Sequence, residues 1–239
     1  MTIQDYFDRI FVIHLPRRVD RWVECKAELA RCRIDRYEVF DGYDHPTNGH
    51  QGCTRSHRML LRHIAANGWN RVLVLEDDFA AITFEELAKA GFMAGSKVWE
   101  TFDSIGEVQD LNHRFGLLTD FLPPHWDVLY LGGGYGEPPI SRYNQHVVRC
   151  GYMQTTSSYA ITAEFAAQWT RRVDASMGSD DLERHPGPID NVFGGLAKDS
   201  WFYCLQPRLF FQRASKSDIT GETNSYLFSM TDPAHESMV

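Results

Sequence analysis

The sequence predicts an α/β fold built around a central, mostly parallel β-sheet. Short apolar runs alternate with longer amphipathic segments in the first third of the chain, as in successive β-α-β units. The run from Val72 to Leu75 is apolar at every position, which is typical of a strand covered on both faces. These runs end in proline, Asp-Gly or acidic residues, so polar side chains follow the strand ends, where open α/β sheets bind ligands.

The first half of the chain predicts the order β-α-β-α-β. Residues 10–15 form the first strand, and Pro16 ends it because proline lacks the N–H that a β-ladder needs. Asp20 is expected to cap the helix that follows. The next elements are a strand at 37–40 that stops at Asp41-Gly42, a helix from Thr54 to Ala66 that ends at Asn67-Gly68, and the strand at 72–75.

The second half shows a weaker pattern. Residues 83–124 are expected to be mostly helical with glycine interruptions. The glycines at 132–134 indicate backbone freedom or a close approach to a ligand. The expected elements after residue 124 are strands at 126–131, 158–162, 201–205 and 209–211, and helices at 163–173 and from Pro188 onward.

Length and composition favour one globular domain. The 239 residues, 43% hydrophobic and 23% charged, can bury a sizeable core. No long Pro/Gly/Ser-rich linker is present, so residues 1–221 are assigned to one domain and residues 222–239 to a C-terminal tail expected to be partly disordered. The amino terminus lacks the features of a signal peptide, and no run approaches the length of a membrane span. A cytoplasmic protein is expected.

Cysteine usage and charge disfavour two classes of protein. The five cysteines are odd in number and lack paired CxxC spacing, which argues against a disulfide framework and against a structural zinc site. The formal net charge of -8 would repel a polyanion, so nucleic acid is an unlikely partner.

Three consecutive acids, Glu76, Asp77 and Asp78, follow the apolar strand directly. Adjacent carboxylates repel one another, and a hard divalent cation would offset that cost through oxygen ligation. Along an extended backbone Glu76 and Asp78 would point one way and Asp77 the other. The sequence therefore predicts a metal site with Glu76 and Asp78 as ligands; the alternative is a solvated turn at the end of the strand.

Five stretches together resemble glycosyltransferase family 25, which contains the lipooligosaccharide and procollagen galactosyltransferases. The resemblance covers about residues 9–221, and one departure is His14, where the family more often has asparagine. The stretches are FVIHLPRRVDR at 11–21, GCTRSH at 52–57, VLVLEDD at 72–78, PIDNVF at 188–193 and QRASKSDI at 212–219.

The resemblance implies a GT-A type nucleotide-sugar-binding fold and inversion at the anomeric carbon. The implied donor is a UDP-sugar, UDP-galactose or UDP-glucose, and the implied cofactor is Mn²⁺ or Mg²⁺ held by Glu76 and Asp78. The acceptor would be a hydroxyl of a glycan, such as a lipooligosaccharide saccharide, or of another hydroxylated molecule. A lipid-linked acceptor would bring the protein to a membrane surface as a peripheral protein.

Several polar residues are candidates for donor binding within this scheme. Arg17 and Arg21 could clamp phosphate or stack on a base, although surface arginines are common. Asp41 could accept a hydrogen bond from uracil or ribose, or simply form an Asp-Gly turn. Ser56 and His57 are expected to open a helix whose amides favour anions, whereas a lone helix histidine is more often structural.

The rest of the donor set lies on both sides of the predicted metal. Leu15 and Asp77 are the remaining donor-binding candidates in the amino-terminal part of the chain. Ser217 and Asp218 are expected to shape the donor-sugar side, with Gln212 as a weaker metal-side candidate; the alternative for these three is a capped loop.

Inverting transfer also needs a general base on the face of the sugar opposite the leaving diphosphate. Asp190 is the candidate, because it lies at the start of a predicted helix and matches the late aspartate of the family. The alternative role is that of an ordinary acid at a helix N-terminus. Two other functions stay open: a metal-dependent phosphohydrolase or nucleotidyltransferase, and a catalytically dead sugar-nucleotide binding module.

Overall fold

The computed structural model describes residues 1–89, 91, 100, 111–177, 187–219, 221–224 and 226–227. The helices are α1 Ile3–Tyr6, α2 Val19–Arg31, α3 Gly49–Asn67, α4 Phe84–Lys89, α5 Leu111–Thr119, α6 Ala163–Met177 and α7 Ile189–Ala197. The longer strands are β1 Arg9–His14, β2 Glu38–Asp41, β3 Val72–Glu76, β4 Phe79–Ala81, β5 Val128–Tyr130, β7 Ser141–Asn144, β8 Val147–Arg149, β10 Ser158–Ile161, β11 Phe202–Leu205 and β12 Phe210–Gln212. Four two-residue strands are β6 Gly134–Tyr135, β9 Met153–Gln154, β13 Ser215–Lys216 and β14 Thr223–Asn224.

The main sheet has eight strands among the described residues, in the order β2-β1-β3-β10-β5-β11-β8-β7. Its pairs β2-β1, β1-β3 and β5-β11 are parallel, and only β10 and β8 run against the other six strands. The expected α/β fold with a central, mostly parallel sheet is confirmed. The carboxyl ends of β1, β2 and β3 therefore meet at one edge, as the sequence predicts.

The sheet is buried on both faces because its central strands carry apolar residues at successive positions. Leu73 and Leu75 pack in one cluster with Leu29 of α2. Val72 and Val74 pack on the opposite face, together with residues of α3 and α6: Leu60, Leu61, Ile64, Phe165 and Trp169. The result is a three-layer arrangement in which β3 is covered on both sides, as its continuous apolar run predicts.

An ion-pair cluster joins α3 to α6 beside the second of these faces. Asp174 of α6 accepts hydrogen bonds from Arg58 at 2.6 Å and from Arg62 at 2.7 Å. Arg58 is buried, and the Asp174 carboxylate is about four-fifths buried, with 22% of its side-chain surface exposed. Burial raises the pKa of Asp174, but the two arginine hydrogen bonds outweigh it and hold the pKa below its ordinary value.

One helix boundary differs from the sequence prediction in a way that affects the site. The helix expected from Thr54 begins at Gly49, and Asn48 caps it by accepting a hydrogen bond from the Gln51 amide at 3.1 Å. Similarly, α2 begins at Val19, so Asp20 lies in its first turn and does not cap it. Both helices start earlier than their apolar pattern suggests.

The glycines at 132–134 approach other parts of the protein closely. A Cβ atom on Gly132 would lie 2.3 Å from the Ser158 hydroxyl and 2.7 Å from the Phe210 carbonyl oxygen. Gly133 has a φ of +100°, a conformation that glycine adopts without strain. Gly132 therefore allows the chain to approach the neighbouring strands β10 and β12 closely, and the expected approach to a ligand is not what the glycine serves.

Two expectations fall partly or wholly outside the described residues. Of the mostly helical stretch at 83–124, α4 and α5 are described, whereas 92–99 and 101–110 are not. Of the tail at 222–239, only 222–224, 226 and 227 are described. Within the described part of the chain, no helix combines the length and the apolar character that crossing a membrane requires.

Candidate functional site

A cavity of about 620 Å³ opens at the carboxyl ends of β1 and β3. Its walls include the loop at 43–48, the first turn of α3 and the segment 217–219. The sequence candidates that it brings together are Leu15, Arg17, Arg21, Ser56, His57, Glu76, Asp77, Asp78, Gln212, Ser217 and Asp218. This convergence is the one that parallel strands with polar carboxyl ends predict.

The three acids leave the strand at its last residue. β3 ends at Glu76, and Asp77 and Asp78 lie in the turn that follows. Arg21 lies 3.1 Å from both the Asp77 and the Asp78 carboxylates. The expectation that Asp77 would point away from Asp78 is therefore wrong, because the alternation of an extended strand does not continue through the turn.

Asp78 is the most deeply buried acid of the cluster, with 1% of its surface exposed. Its Oδ2 accepts a hydrogen bond from the Gln212 side-chain amide at 3.0 Å, whereas its Oδ1 is buried and has no hydrogen-bond partner among the described residues. Burial, with Glu76 and Asp77 nearby, raises the pKa of Asp78 to about 6. An orphaned carboxylate oxygen in a cavity wall fits a divalent cation, which would replace the missing partner.

Glu76 has a different environment. Its Oε1 accepts from the Thr156 hydroxyl at 2.7 Å and lies 3.1 Å from His57 Nε2. Burial raises the pKa of Glu76, but the hydrogen bonds from His57 and Thr156 hold it below its ordinary value. Two carboxylates two residues apart thus have their pKa values displaced in opposite directions, which is a mark of functional sites.

Ser56 and His57 do not open a helix, and the expectation that their amides bind an anion is wrong. Both lie in the third turn of α3, where backbone amides are used by the helix itself. Ser56 donates to the Gly52 carbonyl at 2.7 Å and accepts from the Tyr43 amide at 2.8 Å. Both residues nevertheless line the cavity.

The true N-terminus of α3 forms part of the cavity wall. Asn48 and Gly49 both line it. A Cβ atom on Gly49 would lie 2.3 Å from the Asp218 carbonyl oxygen, so the helix start is in direct contact with the segment 217–219. The first amides of a helix favour negative charge, and this helix start lines the same cavity as Glu76, Asp77 and Asp78.

Asp218 links that segment to the loop after β1. Its Oδ1 accepts from Arg17 at 2.9 Å and its Oδ2 from Arg18 at 2.6 Å. Arg17 also donates to Asp44 at 2.6 Å. Arg18, which is 8% exposed, was not among the sequence candidates, because its partner lies 200 residues away in the chain.

His14, the last residue of β1, contacts one of the three acids. Its Nδ1 lies 2.8 Å from Asp77 Oδ2, and its ring stacks on Trp22 with the centroids 4.8 Å apart. Since β1 and β3 are adjacent and parallel, this contact joins the carboxyl ends of the two strands. His14 therefore holds the side chain of Asp77, which lines the cavity.

Asp41 is the one candidate that neither this cavity nor its neighbour includes. It ends β2, the outermost strand on that side of the sheet, and its side chain is exposed. At Gly42, the next residue, a Cβ would come within 3.2 Å of Leu15 and 3.3 Å of Ser56. Tyr43 and Asp44, which follow it, line the cavity in place of Asp41.

A second cavity of about 190 Å³ adjoins the first and contains Asp190. The residues common to both cavities are Arg21, Cys53, Glu76, Gln212, Ser217 and Ile219. Asp190 lies in the first turn of α7 and accepts from the Asn191 amide at 2.9 Å. Asp78 and the candidate base Asp190 thus lie in adjoining cavities, and Glu76 lines both.

Thr155 and Thr156 lie between these acids and were missed in the sequence. Both line the second cavity. Thr155 has a φ of +67° and a buried hydroxyl without a hydrogen-bond partner among the described residues. A non-glycine residue in this conformation is strained, and such strain concentrates at functional sites. Thr156 donates to Glu76, and the Thr155 amide lies 3.5 Å from Asp190 Oδ2. The sequence offers no sign of either contact, because the threonines precede β10, whereas Glu76 ends β3 and Asp190 lies in the first turn of α7.

Comparisons with known proteins give likeness at the level of the fold. No family model matches the chain, and no curated protein matches it. A glycosyltransferase involved in glycosylation of the major capsid of PBCV-1 aligns with 83% of this chain and 81% of its own at 12% identity and a TM-score of 0.45. A putative glucose-1-phosphate thymidylyltransferase from Bacillus anthracis aligns with 93% of each chain at 9% identity and a TM-score of 0.45.

A third structure is A197 from STIV, which aligns with 87% of this chain and 88% of its own at 11% identity and a TM-score of 0.42. These TM-scores lie below 0.5. This likeness therefore says nothing about the function of the chain.

Proposed function

We propose that this protein is a metal-dependent, inverting glycosyltransferase that uses a UDP-sugar donor, UDP-galactose or UDP-glucose. One observation carries the proposal: a buried carboxylate with an orphaned oxygen, Asp78, lies in the wall of a large cavity, and a second carboxylate, Asp190, lies in the adjoining one. Inverting glycosyl transfer needs two separate carboxylate sites, because leaving-group stabilisation and acceptor deprotonation occur on opposite faces of the sugar.

The cation would be held by Asp78 and Glu76, with the Gln212 side chain beside them. Asp78 supplies the orphaned oxygen, and carboxylate oxygens suit Mn²⁺ or Mg²⁺. When bound, the cation would neutralise the charge that develops on the leaving diphosphate. Arg21 already lies 3.1 Å from Asp78 and adds a second positive charge on this side of the cavity.

The donor would occupy the larger cavity. Its wall carries the first turn of α3, which favours phosphate, and Arg17, whose partners Asp44 and Asp218 hold it at the rim. Ser217 and Asp218 line the same cavity and would face the sugar. The five stretches that resemble glycosyltransferase family 25 include four parts of this wall, which supports placing the chain in that family.

The acceptor would enter through the smaller cavity. Asp190 would take the proton from its hydroxyl as the bond to the sugar forms, and the strained Thr155 beside it offers an unpaired hydroxyl for a polar acceptor. A glycan hydroxyl meets this requirement.

The test is a panel of nucleotide sugars with Mn²⁺, scored for release of UDP and of free sugar without acceptor. We expect turnover of one UDP-hexose, complete loss in chelator, and loss in Asp78→Asn with the far-UV circular dichroism unchanged. Asp199→Asn, an exposed acid remote from both cavities, is the matched control. Release of phosphate or pyrophosphate without sugar release would instead indicate a phosphohydrolase or nucleotidyltransferase, and donor binding without turnover would indicate a binding module.

A further inference from the structure

Three side chains of different metal-binding chemistry meet where the two cavities adjoin. They are Cys53, His57 and Glu76, and one ligand atom from each lies within 4.8 Å of the others. Cys53 and Glu76 line both cavities. The cluster is separate from the orphaned oxygen of Asp78, since it contains a thiol and an imidazole.

The geometry of the histidine is that of a metal ligand. Cys53 and His57 are one helical turn apart on α3, so both face the same side. His57 is 1% exposed, and its Nδ1 lies 2.9 Å from the Tyr159 hydroxyl. A partner on one ring nitrogen fixes the orientation of the ring and leaves Nε2 directed at Glu76 Oε1, 3.1 Å away.

The distances are close to those of a tetrahedral site. Bonds of about 2.0–2.3 Å to nitrogen, oxygen and sulfur separate neighbouring ligand atoms by roughly 3.3–3.8 Å. The His57–Glu76 pair already lies at this spacing. Cys53 is partly exposed, so a change of its side-chain rotamer can supply the remaining shift of about an ångström.

The donor set selects a class of cation. Thiolate and imidazole ligands favour Zn²⁺ over Mg²⁺ and Mn²⁺, which prefer oxygen. Three protein ligands with one position open to a cavity form an open zinc site rather than the closed four-ligand kind that paired CxxC motifs build. The absence of paired CxxC motifs in the sequence therefore argues against a closed structural zinc site but not against an open one.

A role for Cys53 as a free nucleophile fits less well. Burial, with Glu76 and Asp190 nearby, raises the pKa of the Cys53 thiol well above its ordinary value. A nucleophilic cysteine needs the opposite shift. A cation can deprotonate this thiol, because the metal–sulfur bond replaces the S–H bond and the proton leaves to solvent.

We propose that Cys53, His57 and Glu76 form a binding site for one Zn²⁺ ion, distinct from the carboxylate site at Asp78. Because Glu76 belongs to both sites, Zn²⁺ bound here would withdraw Glu76 from the donor-side cation and inhibit transfer. That consequence rests on the proposed function, whereas the site itself does not.

The test of the site uses Co²⁺ as a spectroscopic substitute for Zn²⁺. Titration of the purified chain with Co²⁺ should give thiolate-to-cobalt charge-transfer absorption in the near ultraviolet, saturating at one equivalent and removed by one equivalent of Zn²⁺. Cys53→Ala should abolish this absorption, and the matched control Cys32→Ala, a buried free thiol elsewhere, should keep it. Absence of the band in the wild type, or its persistence in Cys53→Ala, would overturn the site.

Donor turnover with saturating Mn²⁺ separates this proposal from the proposed function. Added Zn²⁺ should lower the wild-type rate at least tenfold and should leave the rate of Cys53→Ala within a factor of two of its own zinc-free value. Donor turnover without a cobalt–thiolate band would refute the zinc site and would still support the proposed glycosyltransferase activity. A band without donor turnover under any condition would support the zinc site and refute the glycosyltransferase.

Discussion

Glu76 is the residue at which the chemistry of this protein converges. It ends a buried strand, accepts hydrogen bonds from α3 and from the segment before β10, and borders both cavities. Its neighbour Asp78 has a raised pKa and a free oxygen, whereas the pKa of Glu76 is lowered. The surroundings of these two neighbouring carboxylates therefore displace their pKa values in opposite directions.

At the same scale, Asp190→Asn tests the general base. The substitution keeps shape and hydrogen bonding but removes basicity, so kcat for transfer should fall by on the order of 10² or more while UDP affinity stays nearly constant. Steady-state kinetics with the identified donor and calorimetry with UDP measure the two quantities. Asp199→Asn is the control, and transfer at the wild-type rate in Asp190→Asn would assign the base to another residue.

Among individual residues, the sequence predicts those whose role depends on their own strand or motif. The acids after β3 could be identified because a continuous apolar run stops directly before them. Arg18 and Thr156 could not, because their partners Asp218 and Glu76 lie 200 and 80 residues away. No local pattern encodes a contact of that kind.

At the scale of elements, the segments with a continuous apolar run, β1 and β3, or an amphipathic pattern, α2 and α6, lie within a few residues of their predicted bounds. β4 and the short strands between residues 134 and 154 were not predicted, since two to four residues are too few to show a period. The start of α3 was missed because Gly49 and Gly52 suggest a loop. Asn48 and Gln51, spaced as N-cap and N3, were the available signal.

Gly49→Ala tests the contact between the α3 N-terminus and the segment 217–219. The added methyl would meet the Asp218 carbonyl, so either the helix start or the segment must move away from the cavity. UDP affinity with Mn²⁺ should fall by roughly tenfold or more, because small displacements at a binding site are costly. Calorimetric titration measures it.

The control for Gly49→Ala is Gly195→Ala in α7, where nothing lies within 4 Å of the added methyl. That variant should bind UDP normally and gain about 0.5–1 kcal/mol in stability, since glycine disfavours helix interiors. Equal affinity of the two variants for UDP would contradict the role given to Gly49.

Asp174→Asn tests how α3 is held against α6. The pKa of Asp174 is lowered in the folded protein, so its stabilisation is present above the unfolded pKa of about 3.9 and is lost as pH falls through the folded value. At pH 7 the variant should lose about 1.5–3 kcal/mol of unfolding free energy, the range for hydrogen bonds to charged groups. Urea unfolding at pH 7 and pH 3 measures the difference between variant and wild type, which should shrink at the lower pH; Asp199→Asn should show little change at either.

At the scale of the whole molecule, the cavity is built from segments far apart in sequence. Its floor is the carboxyl edge of β1 and β3, which the buried core fixes on both faces. Its rim is the loop at 43–48 and the segment 215–219, which the ion pairs of Asp218 and the contact with Gly49 hold in place. The floor is therefore rigid, and any change on donor binding is expected at the rim.

Hydrogen exchange with and without UDP and Mn²⁺ tests this division. Bound donor should slow exchange at 43–48 and 215–219, because an activated sugar needs exclusion of water and these segments border it. Residues 132–134 should not change, since Gly132 is packed closely against β10 and β12. Protection at 132–134 with none at 215–219 would contradict this arrangement. Asp218→Ala, which removes both ion pairs to the loop after β1, should lose the protection at 215–219 and weaken donor binding, while exchange in β3 stays as in the wild type.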